Sequence, residues 1–342
     1  MTRTKKSPSK SISIEDVARR AGVSITTVSR VINKVGQVQE KNRIRVAEAI
    51  KELKFQPSIF AQRLATGKSN VVALLIPRYE GVFYSFYALE LIRATGTLCE
   101  AFKLDLLLHL TDSHSRESLN LRGVGGVIFS DIIGTRQQIE ETIKSGLPCV
   151  VINNYVEDLP VSCIAIDNSG GAKNAVNYLI NLGHKEIAHI SGDVTTQAAA
   201  KRLEGYAEAL KEKGIAIKEE YILKTDYSRG QARSAAETLF KMPEGPSAVF
   251  VASDSMALEV MAVARELGKN IPADLSLIGF DDNPSGLYGP VALTTVRQPL
   301  IKMAEEGVKE LNRLMSAKKG ALPKKIVLAT ELVVRESCRP LK

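Results

Sequence analysis

Residues 14–33 read IEDVARRAGVSITTVSRVIN, and this stretch decides the fold of the N-terminal part. Ser13 can cap a first helix, with Asp16 three residues later as a variant of the capping box. Gly22 tolerates a left-handed backbone and ends that helix. Ser24 can cap a second helix directly after the turn. Helix, tight turn and helix in this order are typical of the DNA-binding helix-turn-helix motif.

A third helix is predicted from about residue 40 to residue 53, because apolar residues recur there at helical spacing. The second helix would bury Val28, Val31 and Ile32. The inner face of the third helix comprises Val46, Ala49, Ile50 and Leu53. Three short helices with matching apolar faces are enough for a small DNA-binding headpiece.

Basic side chains are concentrated at the start of the chain. The whole chain has a formal net charge of +8, but residues 1–69 hold 15 basic and 5 acidic side chains, a net of +10. The remainder is close to neutral, with 31 basic and 33 acidic side chains. A small basic module attached to a near-neutral domain is the charge pattern of a protein that contacts phosphates. Residues 1–11 are predicted to form a disordered basic tail.

The sequence contains no run of eighteen or more apolar residues and no secretory signal, so we expect no membrane partner. Its cysteines are scattered without a CxxC pair: Cys99, Cys149, Cys163 and Cys338. Scattered cysteines fit a reduced, cytoplasmic protein better than a disulfide framework.

From residue 71 onward, short apolar runs alternate with amphipathic helical stretches. The predicted strands are Val71–Ile76, Leu104–Leu110, Val124–Phe129, Cys149–Ile152, Ile187–Ile190, Ala248–Ala252 and Leu275–Ile278. Strands separated by helices predict parallel sheets flanked by helices, which bind ligands at the carboxyl ends of their strands.

Catalytic motifs are missing from this region of the sequence. It has no GxGxxG, no P-loop and no GxSxG. The pairs His109/His114 and His184/His189 are each five residues apart, which is off the spacing that places two metal ligands on one helix face. We interpret them as ordinary surface or capping histidines. The sequence therefore predicts no enzyme, no metal site and no cofactor.

Residues 14–33 closely resemble the headpiece signature of the LacI/GalR family of bacterial repressors. Six further segments resemble family signatures in family order: 166–172, 182–187, 202–206, 252–257, 274–282 and 293–298. The resemblance implies a periplasmic-binding-protein-like α/β core of two Rossmann-like subdomains with parallel sheets, preceded by a small all-α domain. Gln39 departs from the pattern, since the family usually has Ser or Thr capping the third helix.

The second helix exposes several residues that could contact DNA, and Arg30 could make a bidentate guanine contact or hold a phosphate. A solvated helix face is the alternative. In the family, the positions matching Ile25, Thr26 and Arg30 read the operator. The family positions that mostly contact the DNA backbone of the operator match Ser24, Thr27, Ser29 and Asn33.

Residues 57–69 resemble the hinge helix of the family, which orders on operator DNA, with two copies entering the minor groove at the operator centre. The position matching Leu64 is the apolar wedge between base steps. Ala61 is small enough for a close approach to the groove. The alternative is a plain linker whose Leu64 packs against the core.

The family resemblance also implies an effector site in the cleft between the two subdomains. Arg202 matches the arginine that clamps the effector, and Asp281 matches an acidic effector ligand. Other cleft positions match Asn153, Tyr227, Ser253 and Gln298. An Arg and an Asp can hold a polyhydroxy ligand from both sides, and an aromatic ring can stack on a sugar face.

Several neighbouring residues have structural interpretations. Asp167, Asn168 and Asp282 are expected to be structural, and Arg202 could also be a charge on a helix surface. Two departures concern the pocket: residues 81–84 read GVFY where the family often has Asn-Pro-Phe-Phe, and the segment 111–124 is shorter than usual.

These observations predict a disordered tail at 1–11, a headpiece at 12–57, a hinge at 58–69 and an effector-binding, dimerising core at 70–342. The expected function is sequence-specific binding of double-stranded, pseudo-palindromic operator DNA by a homodimeric repressor, controlled by a small effector such as a carbohydrate. The C-terminal residues contain no long leucine heptad of the kind that forms tetramers, so a dimer is expected. The alternatives are control by a protein co-regulator, a solute-binding protein, or a sugar-modifying enzyme.

Overall fold

The computed structural model describes residues 12–33, 35–55, 69–78, 82–112, 119–131, 135–317 and 321–341. The chain forms two compact units, one with the N-terminal helices and one with the two sheets. The predicted basic tail and most of the predicted hinge, including Ala61 and Leu64, lie outside the described residues. The same is true of residues 113–118 in the shortened segment.

The first unit contains three helices: α1 (Ile14–Ala21), α2 (Ile25–Asn33) and α3 (Glu40–Leu53). The predicted capping box is confirmed, because Ser13 Oγ accepts from Asp16 N at 3.3 Å while Asp16 Oδ2 accepts from Ser13 N at 3.0 Å. Gly22 ends α1 with φ 63°, in the left-handed region. Gln39 precedes α3 without a side-chain capping bond, as its departure from the family pattern indicated.

A small apolar core holds these helices together. Its buried members are Val17, Ala18, Ala21, Val28, Val46 and Ala49. Val31, Ile32, Ile50 and Leu53 are partly buried against it. The predicted inner faces of α2 and α3 are therefore the faces that pack, which leaves the opposite face of α2 free for other contacts.

The N-terminal subdomain of the second unit is built on a wholly parallel sheet in the order β11-β5-β4-β3-β1-β2. Its strands are β1 (Val71–Pro77), β2 (Asp105–Thr111), β3 (Gly126–Phe129), β4 (Cys149–Ile152), β5 (Ser162–Ile166) and β11 (Lys325–Leu328). Its helices are α4 (Phe86–Ala101), α5 (Arg136–Ser145) and α10 (Leu300–Ser316). A short 3-10 turn, Val82–Tyr84, precedes α4.

The C-terminal subdomain has a second sheet in the order β12-β10-β9-β8-β6-β7, in which only the edge strand β12 is antiparallel to its neighbour. Its strands are β6 (Ile187–Ser191), β7 (Ile222–Lys224), β8 (Ala248–Val251), β9 (Ser276–Asp281), β10 (Thr294–Arg297) and β12 (Glu331–Val333). Its helices are α6 (Asn168–Asn181), α7 (Gln197–Glu212), α8 (Arg229–Lys241) and α9 (Asp254–Glu266). Short 3-10 turns are Glu219–Tyr221 and Pro284–Leu287.

The chain passes between the two subdomains three times: from β5 to α6, from β10 to α10, and from β11 to β12. Two of these passages are hydrogen-bonded to each other, since Asp167 N donates to Leu328 O at 2.9 Å. Parallel strands of both sheets carry their functional loops at their carboxyl ends, which is where sheets of this type bind ligands.

The interpretation of His184 and His189 as surface or capping histidines is wrong. His184 and His189 lie in the core of the C-terminal subdomain and not on its surface. His184 contacts Ser247 Oγ and Arg339 O, and burial lowers its pKa. His189 stacks on Phe250, contacts Phe250 O at 2.9 Å, and has a pKa lowered by burial to about 4. Both are neutral core residues at physiological pH, because His charges only near or below its pKa.

No group of three or more His, Cys, Asp or Glu side chains in the described part of the chain could hold a metal ion. Within the same residues, no helix has the length and hydrophobicity needed to cross a membrane.

Candidate DNA-binding face and effector cleft

The exposed face of α2 carries the residues expected to reach bases. Ile25 is 46% exposed, although it is a large apolar residue at the start of a helix. Thr26 and Arg30 are exposed beside it. An aliphatic side chain left in water at this position is available for contact with another molecule.

The four residues expected to contact the DNA backbone are linked in pairs along α2. Ser24 Oγ accepts from Thr27 N at 3.2 Å and lies 2.9 Å from Thr27 Oγ1. One turn later, Asn33 Nδ2 donates to Ser29 Oγ at 3.2 Å. These bonds fix the rotamers of short polar side chains, so that their remaining donors and acceptors have defined directions.

Arg30 makes no ion pair with any described residue. Its aliphatic stem lies beside the turn after α2, where a Cβ built on Gly36 would be 3.8 Å from Arg30 Cδ. A guanidinium on α2 without an ion pair to any described residue suits a contact with a phosphate or a guanine.

In the second unit, Arg202 of α7 is 4% exposed, which rules out the interpretation as a surface charge. Its Nε donates to Asn168 Oδ1 at 2.8 Å and its Nη1 to Ala252 O at 2.6 Å. The guanidinium lies 3.7 Å from the centre of the Phe280 ring. Two hydrogen bonds and a stacked ring hold the charge in one place, and Nη2 makes no hydrogen bond to a described residue. Asn168, expected to be structural, therefore positions the arginine.

Asp281 ends β9 with φ 126° and accepts a hydrogen bond from Gln298 Nε2. Burial raises the pKa of Asp281 to about 6, although the positive charge of Arg202 opposes the rise. The Asp281 carboxyl is thus buried, and its pKa depends on the charges that lie beside it.

The sequence analysis missed Asp254, which lies behind Asp281. Its Oδ1 accepts from Thr295 Oγ1 at 2.6 Å and its Oδ2 from Asn283 N at 2.7 Å. Burial raises the pKa of Asp254 well above its ordinary value, and the Asp281 carboxyl adds to the rise. Asp254 ties β10 to the loop after β9 and so shapes the turn that presents Asp281.

Tyr227, with φ 69°, lies flat against Gly192, where any Cβ would come within 2.0 Å of the Tyr227 ring. Burial raises the pKa of the Tyr227 hydroxyl, and the charges of Arg202, Asp281 and Asp131 all act on it. Asp131 belongs to the N-terminal subdomain, whereas the other three belong to the C-terminal one. The structure therefore brings Arg202, Tyr227 and Asp281 together at the cleft between the subdomains.

The three remaining predicted cleft residues also follow strand ends. Asn153 comes directly after β4 with φ 72°, and its buried Oδ1 has no hydrogen-bond partner. Gln298 comes after β10, and its Oε1 is likewise buried without a partner. Ser253 Oγ caps α9 by accepting from Met256 N at 3.3 Å.

Two neighbours have structural roles, as expected. Asp282 pairs with Arg297 at 2.7 Å and with Arg335, and these hydrogen bonds lower its pKa despite partial burial. Asp167 Oδ1 accepts from Gly170 N at 2.8 Å at the start of α6.

A three-helix unit with a helix-turn-helix motif, followed by a core of two parallel-sheet subdomains, is the architecture of a class of transcriptional regulators. Comparison with known proteins agrees with this: residues 13–58 match the model for bacterial regulatory proteins of the lacI family, and residues 176–338 match the periplasmic binding protein-like domain.

Two relatives extend the match over most of the chain. Catabolite control protein A of Priestia megaterium is 34% identical over 312 residues, which is 89% of this chain and 93% of that protein. The HTH-type transcriptional regulator DegA of Bacillus subtilis (strain 168) is 34% identical over 337 residues, 96% of this chain and 98% of that protein. The chain belongs to the LacI family: it is a DNA-binding transcriptional regulator and not an enzyme.

Solved structures show the same architecture. The cellobiose complex of the transcriptional regulator CelR has a TM-score of 0.71 and 31% identity, covering 95% of this chain and 99% of that one. The Lac repressor dimer bound to operator has a TM-score of 0.80 at 24% identity, covering 96% of this chain and 100% of that one. At this low identity, the match shows a shared fold and nothing more.

Proposed function

We propose that this protein is a homodimeric repressor of a pseudo-palindromic operator, and that a small, uncharged carbohydrate in the inter-subdomain cleft controls it. The observation that carries the proposal is the convergence of Arg202, Tyr227 and Asp281 at the carboxyl ends of the strands. Two headpieces would occupy the two half-sites, because a two-fold dimer matches two-fold DNA.

The chemistry of the cleft supports a ligand rich in hydroxyl groups. Arg202 supplies donors, Asp281 supplies acceptors, and Tyr227 supplies a flat ring. Buried acceptors without a partner are rare and cost about 1–3 kcal/mol each. Asn153 Oδ1 and Gln298 Oε1 are two such atoms, in residues that follow the carboxyl ends of β4 and β10. Ligand hydroxyls would satisfy them.

The charges of the cleft favour an uncharged ligand. Among the described residues, Arg202 is the only buried Lys or Arg, and it already interacts with the carboxylate of Asp281. The Asp131 carboxylate adds a second negative charge beside Tyr227. A phosphorylated or acidic sugar would add a negative charge next to them, and like charges at close range are unfavourable. Among the relatives, the CelR structure contains cellobiose, a neutral disaccharide, which is consistent with this chemistry.

A pair of adjacent elements in the N-terminal subdomain supports dimerisation. Leu89 on α4 is 46% exposed, and Phe102, directly after this helix, is also exposed. Leu107 on the edge strand β2 is 45% exposed on the opposite face of the sheet, because its neighbours Leu106 and Leu108 pack on the side of α4. Exposed apolar side chains on neighbouring elements mark surfaces that another molecule covers. We expect a second copy of the chain to cover them.

The effector would act through the three passages between the subdomains. Closing or opening the cleft changes the angle between the sheets and thereby the geometry that each subunit presents to DNA. Coupling between effector and operator of about 1–3 kcal/mol is typical of such switches.

Calorimetry against neutral mono- and disaccharides tests the effector site. We expect one of these sugars to bind the wild type, and Arg202→Ala to abolish its binding while operator binding persists. Lys201→Ala, on the same helix but with an exposed partner, Glu204, is the matched control and should bind normally. If no sugar of the panel binds, the proposed carbohydrate control is wrong and a protein co-regulator takes its place.

The hinge prediction concerns Leu64. If Leu64 enters the minor groove as a wedge, Leu64→Ala should weaken specific binding by about 10-fold or more and non-specific binding much less, because only the kinked operator uses the wedge. Gel-shift titrations with operator and with unrelated DNA measure both affinities. Equal losses on both DNAs would contradict the wedge.

A further inference from the structure

A side-chain amide joins the two rims of the cleft. Tyr155 N, in the N-terminal subdomain, donates to Gln197 Oε1 at 2.7 Å. Gln197 Nε2, in the C-terminal subdomain, donates back to Tyr155 O at 2.9 Å. The glutamine amide thus pairs with a single residue of main chain through two hydrogen bonds of normal length.

Both partners lie next to cleft residues. Gln197 is the first residue of α7, and Arg202 follows on the same helix. Thr196, which caps α7, accepts from Ala199 N at 3.1 Å and also interacts with the Tyr227 hydroxyl. On the other rim, Tyr155 is two residues after Asn153. Separation of the subdomains along this rim must therefore break both hydrogen bonds of the amide pair.

From this geometry we infer that Gln197 is a latch residue, which sets the balance between closed and open cleft and thereby the response of the regulator to its effector. Gln197 needs no ligand contact for this role, since it acts by holding the loop of Asn153 against the helix of Arg202. Its bonds go to main-chain atoms, so the latch does not depend on the identity of the side chain at position 155.

The latch is weak enough to switch. Each hydrogen bond between protein groups contributes only modestly against water, so breaking the pair should shift the closed-to-open ratio by about 10-fold. Gln197 is half-buried and Tyr155 partly exposed, which gives water access to both once they separate. A change of this size is comparable to the coupling of an ordinary allosteric effector.

Hydrogen exchange of the full-length protein without any ligand tests the latch. We expect Gln197→Ala to speed hydrogen exchange about 10-fold at the Tyr155 amide. Exchange should also become faster in the segments 192–196 and 281–283. The Gln197 side chain makes no hydrogen bond to these described segments, but an open cleft would expose them. The amides in the centres of the two sheets should not change. Gln137→Ala is the matched control, because that exposed glutamine bonds only to Glu141 within its own helix, α5, at 2.9 Å.

A second variant separates the latch from a local effect on the helix. Gln197→Glu keeps an acceptor for Tyr155 N but places a carboxylate oxygen against Tyr155 O. A negative charge in the first turn stabilises a helix, so a purely structural role predicts equal or slower exchange. The latch predicts faster exchange in 192–196 and 281–283. If both variants leave these segments at wild-type rates, the latch is wrong, and that result does not affect the proposed effector, because no ligand is present.

Discussion

At the scale of single residues, Asp281 and Asp282 are neighbours with opposite electrostatic environments. Asp281 is enclosed near Asp254, and its pKa is raised to about 6, whereas two arginines lower the pKa of Asp282. A free aspartate titrates near pH 3.9. The carboxylate of Asp281 is therefore less stable in the fold than in the unfolded chain, and the carboxylate of Asp282 is more stable.

The sign of the pH effect follows from these shifts. The contribution of Asp281 to stability is fully present below about pH 4 and is lost as the pH rises through about 6. We expect Asp281→Asn to raise the free energy of unfolding at pH 7.5 by roughly 1–3 kcal/mol and to leave it nearly unchanged at pH 4. Denaturant titrations of the ligand-free protein at both pH values measure this.

Asp282→Asn is the matched control, with the opposite expectation. Its contribution is present above about pH 4 and is lost as the pH falls. The variant should lose about 1–2 kcal/mol at pH 7.5, because Arg335 and Arg297 lose their ion pairs with Asp282. Destabilisation by both substitutions at pH 7.5 would mean that Asp281 is a structural residue and not a group held at the expense of stability for ligand binding.

The residues of the cleft were predictable only in part. Motif resemblance located Arg202 and Asp281, since both lie in recognisable segments. It did not indicate Asn168 as the partner of Arg202, nor Asp254 as the support of the turn before Asn283, because these contacts join residues 34 and 29 positions apart. Contacts between distant segments depend on the topology of the sheets, which local spacing does not contain.

At the scale of elements, α6 and α7 pack together at a glycine. A Cβ on Gly205 would lie 2.1 Å from Ser169 O, a backbone atom that cannot move without shifting α6. Gly205→Ala should therefore lower the free energy of unfolding by about 2–3 kcal/mol. It should also weaken effector binding, because α7 carries Arg202.

Gly230→Ala supplies the comparison, since Gly230 lies on α8 with nothing within 4 Å of a built Cβ. This substitution should leave the free energy of unfolding unchanged or raise it by about 0.5 kcal/mol, because alanine favours the helix more than glycine does. Thermal unfolding of the two variants side by side gives the difference. A small effect of Gly205→Ala would mean that the helix contact can relax.

The predicted strands show where sequence patterns suffice. All seven predicted apolar runs contain strands, because buried parallel strands are continuous hydrophobic segments. The missed strands are β5, β7, β10, β11 and β12. β7 and β12 have three residues each, and β10 reads TTVR, so neither length nor hydrophobicity marks them. Only Ile166, the last residue of β5, belongs to a segment that resembles a family signature, so β5 was not predicted as a strand.

At the scale of the whole molecule, charge separates the two binding activities. The basic excess lies in residues 1–69, while the rest of the chain is nearly neutral. We expect operator affinity to fall about 10³–10⁵-fold between 50 and 200 mM salt, because each phosphate contact releases counterions. Effector affinity should change little over the same range, since an uncharged ligand releases none.

Fluorescence anisotropy with labelled operator and calorimetry with sugar measure the two salt dependences on one preparation. A steep salt dependence of sugar binding would indicate a charged effector and would contradict the proposed ligand. A flat salt dependence of operator binding would contradict phosphate neutralisation by the headpiece.

The three passages between the subdomains also determine when each part can fold during synthesis. The headpiece has its own apolar core within residues 14–55 and is complete as soon as that stretch has left the ribosome. Neither sheet is complete before β11 and β12 have been made, because residues 325–333 supply the outer strand of both. A growing chain can therefore carry a folded DNA-binding unit long before it has a cleft, and a chain cut short before residue 325 would leave β5 and β10 as open sheet edges, which are prone to pair with other chains.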